Sequence, residues 1–261
     1  MISAIILLPV VTLIILKGGT FLFTCLLALF SAVGIAEFYR MALPERKLEL
    51  WLASFAGSVL LFVPFALNDK FVLAGIGLLF IGFSLLFLFR IRTIDSAASE
   101  IAFALLAFLY IPFLLMHMVL LRQTTFGIQW LFVIMLIVMT NDSAAYYTGS
   151  AFGKHRLYLL VSPKKSIEGA VGGLMGSLCG TFLAKFTFFP QLSFVDVVVT
   201  ALVVGMVGQT GDLFESLLKR SFGVKDSGTI IPGHGGVLDR LDSILFAAPI
   251  TYYYVLFFFK G

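Results

Sequence analysis

The chain has 261 residues, 60% of them hydrophobic and only 12% charged, against about 25% charged in an ordinary soluble domain. Twenty-nine phenylalanines exclude a soluble monomer of this size, and continuous apolar runs exclude a barrel, whose strands alternate. The net charge of +4 does not indicate a nucleic-acid partner, because the basic residues sit in loops between apolar segments.

Apolar runs, each near the roughly 17–25 residues that span a bilayer, fall at about 1–17, 18–38, 50–67, 71–89, 100–121, 127–149, 167–187, 194–218 and 237–259. They predict an all-α polytopic membrane protein of nine transmembrane helices. Met1 leads directly into ISAIILLPVV without a basic leader, so the first run reads as a membrane helix and not as a cleaved signal. Only Lys17-Gly18-Gly19 separates the first two runs, and only Asn68-Asp69-Lys70 the third and fourth. Pro9, Pro64 and Pro112 predict kinks that neighbouring helices can accommodate. Cys25 and Cys179 lie in apolar runs and read as isolated buried thiols, and His117, between Met116 and Met118, as a packed histidine.

Loop charges orient the chain. Alternate loops carry Arg40, Arg46 and Lys47; Arg90 and Arg92; Lys154, Arg156, Lys164 and Lys165; and Lys219, Arg220, Lys225 and Arg240. Those thirteen stand against five on the other side: Lys17, Lys70, Arg122, Lys185 and Lys260. The positive-inside rule then places the N-terminus in the cytoplasm and the C-terminus outside.

The two parts of the chain differ. Residues 1–125 read as a scaffold of apolar helices, available for dimer or lipid contacts. Residues 126–261 read as a catalytic transmembrane domain with polar loops facing the cytoplasm. In this second part lie Thr140-Asn141-Asp142-Ser143, the loop 153–173, and Gly208-Gln209-Thr210-Gly211-Asp212 with Glu215. Beyond them runs SLLKRSFGVKDSGTIIPGHGGVLDRLD, residues 216–242. Asp212, Glu215 or Ser216, and Lys219 recur at helical spacing and share a face. Asp239 and Asp242 do the same at the start of the last run. An acid inside LFVIMLIVMTNDSAAYY, such as Asp142, is costly without a partner. Two or three carboxylates brought together from the eighth and ninth runs repel unless a cation lies between them, and oxygen ligands favour Mg²⁺ or Ca²⁺ over zinc. Gly-His-Gly-Gly at 233–236 precedes a helix, where backbone N–H groups can meet an anion. Lys219, Arg220, Lys225, Arg240, Lys164 and Lys165 face the same side. The residues therefore predict metal-dependent phosphate chemistry on a membrane-embedded substrate. Small residues Gly172, Gly173, Gly176 and Gly180 read as a helix-packing face, which also permits a homodimer.

The 216–242 stretch resembles the signature of the phosphatidate cytidylyltransferases, or CDP-diacylglycerol synthases. Every motif position is met, from Ser216 through Lys219, Arg220, Lys225, Asp226, Gly228, Pro232, His234, Gly235, Gly236, Asp239 and Arg240 to Asp242. Asp142-Ser143, Gly153-Lys154, Ser162-Pro163-Lys164-Lys165-Ser166, Glu168-Gly169 and Gly211-Asp212-Leu213 extend the similarity, which covers residues 139–245; before that only hydropathy matches. Two departures are a missing basic leader and Ser-Pro-Lys-Lys-Ser where many relatives have Ser-Pro-x-Lys-Thr. The resemblance implies that CTP and phosphatidate give CDP-diacylglycerol and pyrophosphate, with Mg²⁺; the compact chain, with so little outside the membrane, suits a bacterial inner membrane. The resemblance also implies catalytic roles for Asp212, Asp239, Asp226, Lys219 and Arg220. Metal ligands would come from Asp212, Asp239, Asp242 and Asp142, with room for a second cation. CTP and lipid phosphate would meet Asp142, Ser162, Lys164, Lys165, Ser166, Lys225, His234, Gly235, Gly236 and Arg240.

Three other readings are weaker. The Asp-Gly-x-x-Ala-Arg pattern of CDP-alcohol phosphotransferases is absent, and Asn141-Asp142 lacks the second Asp of a prenyltransferase motif. A transporter with an intramembrane Asp cluster is the alternative of a different class, but the loops on the far side are short and poor in polar residues.

Overall fold

The computed structural model of the chain describes residues 2–66, 71–90, 93–230 and 235–261. Lys70, Arg92, Pro232, Gly233 and His234, all named in the sequence reading, lie outside the described residues. The helices are α1 (Ile2–Lys17), α2 (Gly19–Ala42), α3 (Lys47–Ala66), α4 (Val72–Phe89), α5 (Ile94–Phe108), α6 (Leu114–Arg122), α7 (Gly127–Phe152), α8 (Ile167–Thr187), α9 (Phe194–Ser221) and α10 (Leu238–Phe257). A π turn over Leu109–Phe113 joins α5 to α6. Pro112 lies in it, and a proline's missing N–H is accommodated by such a widening. Ile94–Arg122 is thus one apolar span. Six helical spans among the described residues are long and apolar enough to cross a membrane: those starting at Gly19, Lys47, Ile94, Gly127, Ile167 and Phe194. The protein is an integral membrane protein.

One feature departs from the all-α expectation. Between α7 and α8 the chain forms a small antiparallel hairpin, β1 (Arg156–Tyr158) with β2 (Ser162–Ser166), pairing Arg156 with Ser166 and Tyr158 with Ser162. Both cysteines are free, and neither is the buried thiol expected: Cys25 is half-buried and Cys179 is exposed on α8. His117 is buried, its Nδ1 3.0 Å from the Phe113 carbonyl oxygen, as a packed histidine should be.

The chain divides into two compact units, residues 1–120 with 226–239, and 121–225 with 240–261. The motif segment 226–239 thus belongs with the N-terminal helices and not with the helices that flank it in sequence. In the first unit, α2 and α3 run antiparallel. Ser58 Oγ donates to the Ala28 carbonyl (3.0 Å) and Ser54 Oγ to that of Ala32 (3.2 Å). Phe23, Phe38, Leu60, Leu61, Ile111 and Leu115 are fully buried among them. Arg46 and Arg90, expected only to orient the chain, also form a polar lock. Arg46 donates to Glu49 (3.2 Å), to the Arg90 carbonyl (2.7 Å) and to Glu100, and Arg90 Nε donates to Glu49 (3.0 Å). The Arg46 guanidinium also lies over the Phe87 ring.

The second unit holds α7 to α10 and the hairpin. Antiparallel α7 and α8 approach closely because α8 presents glycines. A Cβ at Gly176 would lie 2.5 Å from Ala144 Cβ, and one at Gly180 2.6 Å from Thr140 Oγ1. One buried and one half-buried amide fix this seam. Asn141 Nδ2 donates to Ser177 Oγ (2.8 Å) and to the Gly205 carbonyl (3.3 Å), while Gln209 Nε2 donates to Asn141 Oδ1 and to the Ala170 carbonyl (both 2.9 Å). One end of the unit is aromatic, with the Trp130 ring 5.3 Å from Phe189 and 5.1 Å from Phe259. There Ser193 and Asp196 form a capping box on α9, and the Tyr254 hydroxyl donates to Asp196 Oδ1 (2.5 Å). The other end is polar.

Candidate active site

The polar end of the second unit collects acids from three helices. Asp142 comes from α7, Asp212 from α9 and Asp242 from the first turns of α10. Asp142 lies within electrostatic range of Asp212, Lys165 and Arg240. Asp242 lies within range of Asp212, Asp142 and Lys219. Its Oδ1 also accepts from the Ser243 N–H (2.6 Å). Gly211 lets α10 come close to Asp212, since a Cβ there would stand 2.6 Å from the Asp242 carbonyl oxygen. The hairpin contributes the counter-charge: Lys165 Nζ pairs with Asp212 Oδ2 at 2.5 Å. One helical turn past Asp212, buried Glu215 pairs with Lys219, also at 2.5 Å. Among the described residues no three His, Cys, Asp or Glu side chains form a group that could hold a metal ion. What they form is an open carboxylate trio with an ammonium group on one member.

Lys164 and Arg240 are exposed, as are Lys225 and Asp226. Arg220 is exposed too and donates to the Val224 carbonyl (3.2 Å), across the end of α9. Ser162 opens β2, whereas the Ser166 hydroxyl serves as N-cap of α8, accepting from the Gly169 N–H (3.1 Å). Glu168 closes the base of the hairpin by accepting from the Lys154 and His155 N–H groups and from His155 Nδ1 (2.6 Å). On α7, Asp142, Ser143, Tyr146 and Tyr147 form one exposed flank.

In the first unit the motif loop is built differently. Asp239 Oδ2 accepts from the Ser227 N–H (3.0 Å), the Gly236 N–H (2.7 Å) and Ser227 Oγ (3.0 Å). Gly235 has φ +83°, a conformation that only glycine adopts readily. The amides that follow Gly-His-Gly-Gly are expected from the sequence to meet a bound anion. In the structure that anion is internal. The Val237 and Leu238 N–H groups donate to Glu37 Oε1 (3.0 Å) and Oε2 (2.9 Å), and Ser227 Oγ lies 3.2 Å from Oε2. Glu37 and Ser227 were not among the predicted site residues. A lone carboxylate in the apolar stretch of α2 carries the same warning as Asp142, but its partners are invisible until the chain folds.

A model of the Cytidylyltransferase family matches residues 1–258. The chain belongs to the cytidylyltransferase family. It is 34% identical over 254 residues to the phosphatidate cytidylyltransferase of Staphylococcus saprophyticus, covering 95% of each chain. It is 35% identical over 161 residues to that of Bacillus subtilis, covering 61% of this chain and 60% of that relative. Against that of Thermotoga maritima it is 45% identical over 126 residues, covering 45% of this chain and 47% of that relative.

Proposed function

We propose that this chain transfers the cytidylyl group of CTP to phosphatidate, giving CDP-diacylglycerol and pyrophosphate for phospholipid synthesis. The observation that carries the reading is the carboxylate trio Asp142, Asp212 and Asp242, with Lys165 on Asp212, in an integral membrane member of the cytidylyltransferase family.

A phosphate oxygen of phosphatidate attacks the α-phosphorus of CTP. A new P–O bond forms as the bond to the leaving pyrophosphate breaks. The nucleophile is already anionic, so no general base is needed, and the protein's task is positioning and charge neutralisation. Lys165, Lys219, Arg220, Lys225 and Arg240 supply the positive charge. Lys164 and Ser162, on the hairpin, engage the nucleotide, and the exposed flank of α7 from Asp142 to Tyr147 admits the lipid headgroup from the bilayer.

The trio has the chemistry, though not in this structure the closeness, of a hard-cation site. Its donors are all carboxylate oxygens, and the ammonium of Lys165 already sits where like charges meet. Mg²⁺ held there would neutralise the phosphates between which the group moves, and the surplus of acid accommodates a second cation. The motif adds Asp239 to the metal set. The loop charges favour a cytoplasmic N-terminus and a site facing the cytoplasm, and the bacterial relatives suit the inner membrane.

The test is incorporation of labelled CTP into lipid by purified protein with phosphatidate, with and without Mg²⁺, beside Asp212→Asn and Asp239→Asn. Mg²⁺-dependent label lost in Asp212→Asn supports the reading, and normal turnover in Asp239→Asn removes that residue from the metal set. Absence of CTP binding by folded wild type overturns the reading in favour of transport.

A further inference from the structure

One fully buried carboxylate has no part in the chemistry above. Glu37 sits on α2 with 0% of its side chain exposed, and no Lys or Arg among the described residues forms an ion pair with it. A buried charge so placed is costly unless hydrogen-bonded throughout. Its donors come from 190 to 201 residues away: Ser227 Oγ, and the N–H groups of Val237 and Leu238. Val237 and Leu238 are the last residue before α10 and its first. N–H groups at that point have no acceptor within the helix, and the helix dipole favours an anion there. Glu37 is therefore a helix cap supplied from a distant part of the chain.

The motif is shaped around this carboxylate. A Cβ at Gly228 would fall 2.6 Å from Glu37 Oε1, and one at Gly236 2.5 Å from Oε2. Both glycines are thus needed for the loop to reach it. Ser227 Oγ stands between Glu37 and Asp239, 3.2 and 3.0 Å from their oxygens, with one proton to give. The two ends of the motif loop are clamped by one acid from α2 and one from α10. α10 then carries Asp242 one turn from the capped amides.

We infer that Glu37 is a positioning residue for the transfer reaction. It fixes the exit of the motif loop and the first turn of α10, and through that turn the placement of Asp239 and Asp242, while touching no substrate. This rests on the nucleotidyl-transfer reading above.

The test uses full-length protein in detergent, wild type beside Glu37→Gln. The substitution keeps the side chain's size but sets an NH₂ group against backbone donors. Folded Glu37→Gln should lose about 30-fold in turnover, in line with lost charge-assisted hydrogen bonds. Its Mg²⁺ requirement for half-maximal rate should rise about tenfold, as when a ligand's support is removed. Amide hydrogen exchange at residues 235–242 should quicken about tenfold, read without any substrate. A merely structural role lowers the rate equally at every Mg²⁺ concentration, and an unmoved midpoint overturns the inference. Unchanged exchange in the 235–242 segment overturns it as well. If Glu37→Gln does not fold, Ser227→Ala removes one hydroxyl of the same clamp and must shift exchange and midpoint in the same direction. Wild type that exchanges as expected but makes no CDP-lipid contradicts the reaction, while the exchange comparison still decides whether Glu37 holds the loop.

Discussion

In the first unit, Glu37, Glu49 and Asp239 each face donors: backbone N–H groups and a serine, two arginines, and again backbone N–H groups with the same serine. In the second, Asp142, Asp212 and Asp242 lie within electrostatic range of one another, with Lys165 paired to Asp212 and other cations at longer range. A carboxylate surrounded by donors holds structure together. Carboxylates set against each other store repulsion that a cation or a substrate complex can release. The comparison therefore separates Glu37 and Glu49, which build the fold, from the acids of the second unit, which are available for chemistry.

The largest expected effect lies on the chemical side. Asp212→Asn should lower CTP turnover by about 10³-fold, the scale of losing a key electrostatic group. It should leave thermal unfolding in detergent unchanged or slightly raised, because a repelling charge has gone. A fall in stability would show Asp212 to be a fold-building acid and break the contrast. On the structural side, Arg46→Ala leaves Glu49 buried with one guanidinium fewer and should cost about 3 kcal/mol. The folded fraction should keep its Mg²⁺ midpoint.

These two positions also show what the sequence made legible. The helices were readable because the bilayer imposes length and hydropathy: the run expected at 127–149 is α7, Gly127–Phe152, and that at 194–218 is α9, Phe194–Ser221. Asp142 and Asp212 were readable because acids in apolar runs are costly. The Arg46 lock was not, because a basic loop residue serves topology whether or not it is also buried. Glu37 was missed because its motif partners lie some 200 positions away and only folding brings them together. The hairpin gave no alternation signal: its strands have three and five residues, one of them Ser-Pro-Lys-Lys-Ser.

A smaller effect probes the scaffold beneath the trio. A Cβ at Gly173 would stand 2.6 Å from both Asn141 Oδ1 and Gln209 Nε2. Gly173→Ala should therefore destabilise by about 2 kcal/mol through overpacking, measured by thermal unfolding. Because Asn141 is next to Asp142, turnover should fall further than the loss of folded protein explains.

The smallest expected effect decides a residue that the motif and the structure describe differently. The resemblance gives Ser166 to the nucleotide, yet its buried hydroxyl accepts from the Gly169 N–H and caps α8. Loss of such a cap costs about 1 kcal/mol. Ser166→Ala should lower thermal stability by that amount and leave the KM for CTP unchanged, while Ser166→Asp, which can still cap, should recover the stability. A KM that rises in Ser166→Ala at unchanged stability would mean the hydroxyl leaves its cap to bind CTP. The hairpin would then move between two states, and Lys165, the residue before Ser166 on the same strand, would move with it. Since Lys165 is the cation resting on Asp212, that outcome would tie nucleotide binding to the uncovering of the carboxylate trio.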